Sequence, residues 1–416
     1  MSRRGRGAAA IASLVGTIIL AAGILVVVVN RNSPPADSGA AKAYSQIQWH
    51  ATKVPASSSL SPYLAVSNGR LYMVTDVPQG SPQGPGLWSS ADAVQWQQAP
   101  NPGMEPNFVA RAAVADRNGG LVVVGELTAT DTNVVPEIWH STDGKTFAKA
   151  QVELPDAGSA STGRSGEIVA VAASAGQMVA FGDHDVVDTS MNTASKGSEV
   201  RGLDSWRSTD GSTWTHSDLA GSDGYQAISM TAWSDGFAAL ASQPGKDAGY
   251  DLWLSADGVA WHKAGTVATF GAVSIIAPPH GVVVVGSKQD AARGMVPASW
   301  SSADGTTWTE AIAPVSGVGA TFDAATVVGS SVVAIGMSHV AGTGAGGGPS
   351  PSALALVPPT AWISNGGSAW QPLGTAPQYL PYLTSIATFD GHVVVAAVSG
   401  AAEVTVSVGD LADTAP

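Results

Sequence analysis

The chain has 416 residues, 44% of them hydrophobic and 12% charged, with 49 Gly, 25 Pro and no Cys. That is room for one large domain or two to three medium ones, and the lack of Cys excludes a disulfide scaffold, an all-Cys zinc site and a thiol nucleophile. The net charge is −13, but residues 1–31 hold four arginines and no acid, so the remainder sets 15 bases against 32 acids, a balance that argues against nucleic acid or an anionic lipid surface as partner of the globular part.

In chain order, Arg3, Arg4 and Arg6 precede an uncharged run of 22 residues from Ala8 to Val29. At ~1.5 Å per residue this makes about 33 Å of helix, enough to cross a bilayer core of roughly 30 Å. The spacing predicts a short basic tail over 1–7, a transmembrane signal-anchor helix over 8–29 and a flexible, Ser-, Pro-, Ala- and Gly-rich stalk over 30–45. The basic cluster ahead of the run puts the N-terminus in the cytoplasm and everything after it outside the cell membrane. The alternative is a cleaved signal peptide and a secreted form. The first Ala-x-Ala triplet after the run, Ala41 to Ala43, lies a dozen residues beyond Val29, farther than such cleavage sites normally lie.

The rest of the chain, 46–416, is a repeat. Five segments follow Trp-x-Ser-x-Asp-Gly/Ala-x-x-Trp/Phe: Trp88 to Trp96, Trp139 to Phe147, Trp206 to Trp214, Trp253 to Trp261 and Trp300 to Trp308. A sixth, Trp362 to Trp370, keeps both tryptophans and Ser364 but has Gly366 where Asp is expected. With Trp49 counted, the second aromatics recur at intervals of 47, 51, 67, 47, 47 and 62 residues, the length of a four-stranded propeller blade. Ahead of each motif runs an apolar, mostly Gly-bounded strand, seven in all: Leu71–Thr75, Leu121–Gly125, Met178–Gly182, Phe237–Ala241, Val282–Gly286, Val332–Gly336 and His392–Ala396. One unit therefore reads as an inner strand a, a Gly-flanked strand b, a strand c with the first Trp, a tight turn, and a strand d with the second aromatic. The last unit stops at strand c, Glu403–Val408, whereas the first is preceded by an orphan strand d, Gln46–Lys53 around Trp49. Pairing the two closes a seven-bladed β-propeller, all-β, with no open edge.

This pattern resembles the sialidase-type Asp-box propellers, also known by the bacterial neuraminidase repeat. Their motif, Ser-x-Asp-x-Gly-x-x-Trp, has one more residue between Asp and Gly than stands here. The resemblance covers the whole repeat region and implies the fold. It also implies that the motif turns lie on the face opposite an active site, and that activity needs an arginine triad for a substrate carboxylate, a Tyr–Glu nucleophile pair and an acid. Arg111, Arg164, Arg201 and Arg293 are the arginines placed to reach the loop face. Tyr225, Tyr379 and Tyr382 are the phenols, with Glu167 as a partner. The Phe-Arg-Ile-Pro segment of those enzymes is absent, and no Glu adjoins a candidate Tyr, so no catalytic residue is assigned.

The repeated Ser90 and Asp92, Ser141 and Asp143, Ser208 and Asp210, Ser255 and Asp257, and Ser302 and Asp304 read as turn-formers. Their oxygens accept main-chain N–H groups while Gly supplies positive φ. On the other face, the b–c loops about 184–203 and 338–360 are the longest. The residue after strand b is acidic in three consecutive blades, Asp76, Glu126 and Asp183, and blade 3 continues His184 and Asp185. If these converge near the axis they offer a site for a divalent cation or a cationic ligand; no other cofactor is implied. The expected ligand-binding set is then Asp76, Glu126, Asp183, His184, Asp185, Arg111, Arg164, Arg201, Tyr225 and Tyr379. The expected function is a membrane-anchored extracytoplasmic propeller that binds an envelope protein, peptide or glycan through its b–c and d–a loops, acting as a scaffold more than an enzyme. The alternative is a divergent sialidase-like exo-glycosidase or lyase.

Overall fold

The computed structural model describes residues 26–27, 44–57, 61–76, 84–100, 102–130, 133–154, 162–174, 176–188, 200–243, 250–267, 271, 274–315, 319–337, 359–377, 383–398 and 403–413. Every regular element among them is a β-strand. They form seven sheets, each with strands a to d in order. Blade 1 is Pro62–Ser67, Arg70–Thr75, Gly86–Ser90 and Gln97–Gln98. Blade 2 is Phe108–Ala115, Leu121–Thr130, Asn133–Ser141 and Ala148–Lys149. Blade 3 is Thr162–Ser174, Gln177–Asp188, Val200–Ser208 and Thr213–Asp218, with Gln151–Val152 added in parallel to its outer edge. Blade 4 is Gln226–Trp233, Gly236–Ser242, Tyr250–Ser255 and His262–Val267. Blade 5 is Ser274–Ile276, Val282–Asp290, Gly294–Ser302 and Thr309–Ile312. Blade 6 is Ala324–Val328, Ser331–Gly336, Thr360–Asn365 and Trp370–Thr375.

Blade 7 is the closing blade: Leu383–Phe389, His392–Val398 and Glu403–Asp413, with Tyr44–Ser57 as its outer strand. That strand pairs antiparallel from Tyr44 opposite Asp413 to Ser57 opposite Glu403, and Lys53 Nζ lies 2.7 Å from Glu403 Oε2. The inner strands touch in ring order and the seventh touches the first. The fold is a seven-bladed β-propeller.

The b strands form because runs of Val, Leu and Ile buried on both faces fit a central strand. Val122, Val123, Val124, Val283 and Val284 are all 0–1% exposed. Their bounding glycines have a second cause. The a strands bulge at Ala110/Ala112 and at Ile168/Ala170. There a Cβ on Gly125 would lie 2.0 Å from the Val109 carbonyl oxygen, and one on Gly182 would lie 1.9 Å from that of Glu167. In these two blades the bulged strand approaches so closely that only glycine fits opposite it; blade 4, which bulges at Ala227/Ser229, has Ala241 at that position.

Two expectations need correction. Of the run 8–29, only Val26–Val27 is described, and it is a short strand parallel to Leu383–Phe389. At those two residues the chain is extended, as β-branched residues favour. The remainder of the expected helix lies outside the described residues, as does the stalk up to residue 43. Among the described residues no helix is long and apolar enough to cross a membrane. Second, the segment 184–203 is not wholly a loop. Pairing continues from His184 opposite Gly202 to Val186 opposite Val200, so strands b and c run on as a hairpin arm. Similar arms rise over blade 2, where Thr130 pairs with Asn133, and over blade 5, where Asp290 pairs with Gly294. The other long loop, apart from its end at residues 359–360, lies outside the described residues.

Candidate functional site

The motif turns are built alike. In each, the Ser Oγ lies 3.0–3.2 Å from Asp Oδ1, which accepts two successive main-chain N–H groups; for Asp257 these are Val259 and Ala260, at 2.9 and 3.0 Å. Those bonds hold the carboxyls of Asp92, Asp143, Asp210, Asp257 and Asp304 below the usual carboxylate range. The motif Gly takes φ of 65–78° at 144, 211, 258 and 305 and faces the preceding blade. The turns also latch across seams. Ser205 Oγ in blade 3 donates to the Gly258 carbonyl of blade 4 at 3.2 Å and accepts from Trp261 Nε1 at 3.1 Å. Ser299 of blade 5 does the same with Gly367 and Trp370 of blade 6, both at 2.7 Å. This chemistry is structural, as the repetition around the ring requires.

Of the three rim acids only Asp76 lies past its b strand; Glu126 and Asp183 lie within theirs, which run on beyond the ring, and all three face protein partners. Asp76 Oδ1 accepts the Ala110 N–H at 2.8 Å, and Asp183 Oδ2 accepts the Ala227 N–H at 2.7 Å. Each carboxylate thus clips the bulge of the next blade's inner strand. Glu126 instead grips Arg111, whose Nε lies 3.0 Å from both of its carboxylate oxygens. Asp76, 7% exposed, is pushed up to about 7 by burial, an effect that the Ala110 N–H and Arg111 only partly offset. Tyr63, buried beside Asp76 and Arg111, is likewise raised, first by burial. Arg111, Glu126, Asp76 and Tyr63 therefore form one nearly buried charged knot across the seam of blades 1 and 2, with Glu167 of blade 3 near enough to act on Arg111.

A further set, not foreseen from the sequence, recurs in blades 2 to 4. Two residues before the first Trp stands a buried acid, and two residues after the second aromatic stands its base. Lys149 Nζ lies 2.7 Å from Glu137 Oε2, His216 Nε2 lies 2.9 Å from Asp204 Oδ1, and Lys263 Nζ lies 2.6 Å from Asp251 Oδ2. The signal was present as an acid and a base 12 positions apart, in phase with the repeat. Blade 3 adds His184, whose Nδ1 lies 2.8 Å from the other oxygen of Asp204. Burial would raise Asp204, but its bonds to His184 and His216 prevail and hold it below the usual range. In blade 4, Tyr225 Oη donates to Asp251 Oδ2 at 2.5 Å and accepts from Lys263 at 3.0 Å. Burial, then Asp251, raises its phenol.

The expected site residues thus fall in separate places. Asp76, Glu126 and Arg111 are together; Asp183 is two seams further round; His184 belongs with Asp204; Tyr225 is partnered by Asp251 and Lys263 and not by a glutamate. Arg164 pairs in register with Val186, and Arg201 with Asp185, on the blade 3 arm, but the side chains of all four lie outside the described residues. Tyr379 lies outside them altogether. Among the described side chains, Arg111 is the one candidate arginine in the knot, and its charge is met by Glu126.

No protein-family profile and no curated protein sequence matches the chain. Solved structures similar to it include a protein of unknown function from Dyadobacter fermentans, with a TM-score of 0.46 and 12% identity over 88% of this chain and 99% of that one. An ulvan lyase, titled a new family of polysaccharide lyase, has a TM-score of 0.45 and 12% identity over 75% of this chain and 78% of its own. A Hadza microbial sialidase has a TM-score of 0.44 and 16% identity over 82% and 76%. The strand order above carries the fold by itself.

Proposed function

We propose that this chain is a membrane-anchored extracytoplasmic propeller that binds an envelope protein, peptide or glycan through its b–c and d–a loop face. The observation that carries the reading is the set of hairpin arms on blades 2, 3 and 5, where paired strands continue past the ring as ordered ribbons. Ribbons of this kind present side chains at little further entropic cost. The anchor rests on the uncharged run that begins at Ala8 behind Arg3, Arg4 and Arg6; with Val26–Val27 a strand, residues 8–25 are the part left to span.

The second reading, a divergent exo-glycosidase or lyase, draws on Asp76, a carboxyl near neutrality beside Arg111. Photo-crosslinking of the full chain in its membrane separates the two. A probe at Ala292, exposed at the tip of the blade 5 arm, is expected to capture a partner, whereas one at Val259 on the motif face is not. Capture at Val259 alone, or turnover of sialosides or uronate polysaccharides that Asp76→Asn abolishes, would replace the binding reading.

A further inference from the structure

We propose that His184, Asp204 and Asp218 form a site for one divalent transition-metal ion, such as zinc, on the flank of blade 3. The three come from adjacent strands b, c and d of one sheet. Asp204 stands directly opposite Asp218, and His184 is two residues beyond Gly182, the partner of Asp204 on the other side. A period of two puts all three on one face. One ligand atom from each lies within 4.8 Å of the other two.

Two observations favour a cation there. Directly opposed like charges on neighbouring strands are destabilising, yet this sheet opposes two carboxylates, Asp204 being 0% exposed, with the single imidazole of His216 against both, 2.9 Å from Asp204 and 3.8 Å from Asp218. The imidazole of His184 also has a place prepared for it. Gly202 faces it across the strands, and a Cβ there would lie 2.7 Å from the ring, so only glycine lets His184 lie flat toward Asp204. His216 bonds the second oxygen of Asp204 at 2.9 Å and stacks on Trp206 with ring centres 5.4 Å apart. Its Nε2 is also 3.8 Å from Asp218 Oδ1, so it sits beside the site and would hold Asp204 Oδ1 while Oδ2 faces the ion, as outer partners of metal ligands do.

The donor set is one imidazole nitrogen and two carboxylates. It neutralises a 2+ charge and leaves a fourth tetrahedral position open, which suits zinc better than calcium. Entry of the ion requires His184 Nδ1 and Asp204 Oδ2 to part from 2.8 Å to about 3.3 Å, the separation of two ligands at tetrahedral zinc. Asp218, with its side chain 65% exposed, supplies the solvent-side approach. The site would tie the root of the blade 3 arm to the outer strand, and it does not depend on the binding reading above.

The test is zinc titration of the chelator-stripped full chain by calorimetry, with the metal content of the dialysed protein measured in parallel. One zinc per chain is expected. Affinity should fall by at least about tenfold in Asp218→Asn and in His184→Ala. Because Asp218 is exposed and faces a like charge, its variant should melt at or slightly above the parent without metal, so loss of binding there is not loss of fold. His50 and His392 flank Asp410 on blade 7, at 3.3 and 2.7 Å, and His392→Ala is the control for zinc held there. No stoichiometric zinc, zinc unaffected by Asp218→Asn, or zinc lost only in His392→Ala would each overturn the assignment.

Discussion

Gly258, in the motif turn of blade 4, seats directly on Val179 in the b strand of blade 3: a Cβ on the glycine would fall 2.2 Å from Val179 Cγ2. The same contact recurs around the ring, with Gly144 on Tyr72, Gly305 on Leu254 and Gly367 on Val283. The motif glycine is therefore needed twice, for its φ and for the closeness of the seam.

Gly258→Ala should accordingly cost about 2–4 kcal/mol, from a left-handed L-residue plus overpacking. Blade 1 provides the contrast. Ala93 already occupies this position at φ 59° and is 1% exposed, in one apolar cluster with Val394 and Val406 of the closing blade. In Ala93→Gly the relief of backbone strain and the loss of a buried methyl nearly cancel, so the stability should stay within about 1 kcal/mol of the parent. Denaturant unfolding of both variants checks this; equal costs at the two positions would mean that the seam contact does not matter.

Asp76 gives a pH dependence with a definite sign. Its folded-state carboxyl, raised to about 7 from the model-peptide value of 3.8, binds a proton that the unfolded chain has already released. The stabilisation it contributes is complete below about pH 4 and is lost as pH rises through about 7. Asp76→Asn keeps an oxygen to accept the Ala110 N–H but cannot ionise. The variant should match the parent near pH 4 and melt several degrees higher at pH 8. Parallel melting curves at the two pH values would remove the buried-acid account.

The closing strand can be tested by truncation. A chain that begins at Ser57 lacks the outer strand of blade 7 and exposes the edge of Glu403–Asp413, eleven residues long. It should melt lower and less cooperatively than a chain beginning at Asn32, which keeps that strand. Differential scanning calorimetry of the two decides it; identical transitions would mean that blade 7 is complete without Tyr44–Ser57.

Much of the fold was legible because its signals are local. The Trp-x-Ser-x-Asp turns and the Gly-bounded apolar runs each sit within one unit, and repetition made their phase plain. The ends were legible too, since a unit lacking strand d and an orphan strand d can pair in only one economical way. The site was less so. Asp76 and Asp183 share a position and a sign, and that suggested convergence on a common ligand. Their real partners are the main-chain amides of Ala110 and Ala227, and no residue-type pattern marks an amide freed by a bulge. The pairs Glu137–Lys149, Asp204–His216 and Asp251–Lys263 could have been found by counting 12 positions in phase with tryptophan. Their cross-strand register shows why that count works: each base stands directly opposite the first Trp, as Lys149 opposite Trp139, His216 opposite Trp206 and Lys263 opposite Trp253, and so lies diagonal to the acid two residues earlier.

The closing strand also sets how the molecule bears load. Tyr44 pairs with Asp413, the end of strand c where the other blades carry their motif turns, so the closing strand begins on the motif side and the arms point the opposite way. A pull applied at Tyr44 against a partner held by the arms runs lengthwise along Tyr44–Ser57. The bonds to Glu403–Asp413 then resist together in shear and do not peel open one by one. The strand that completes the ring would thus also be the strap by which it is pulled.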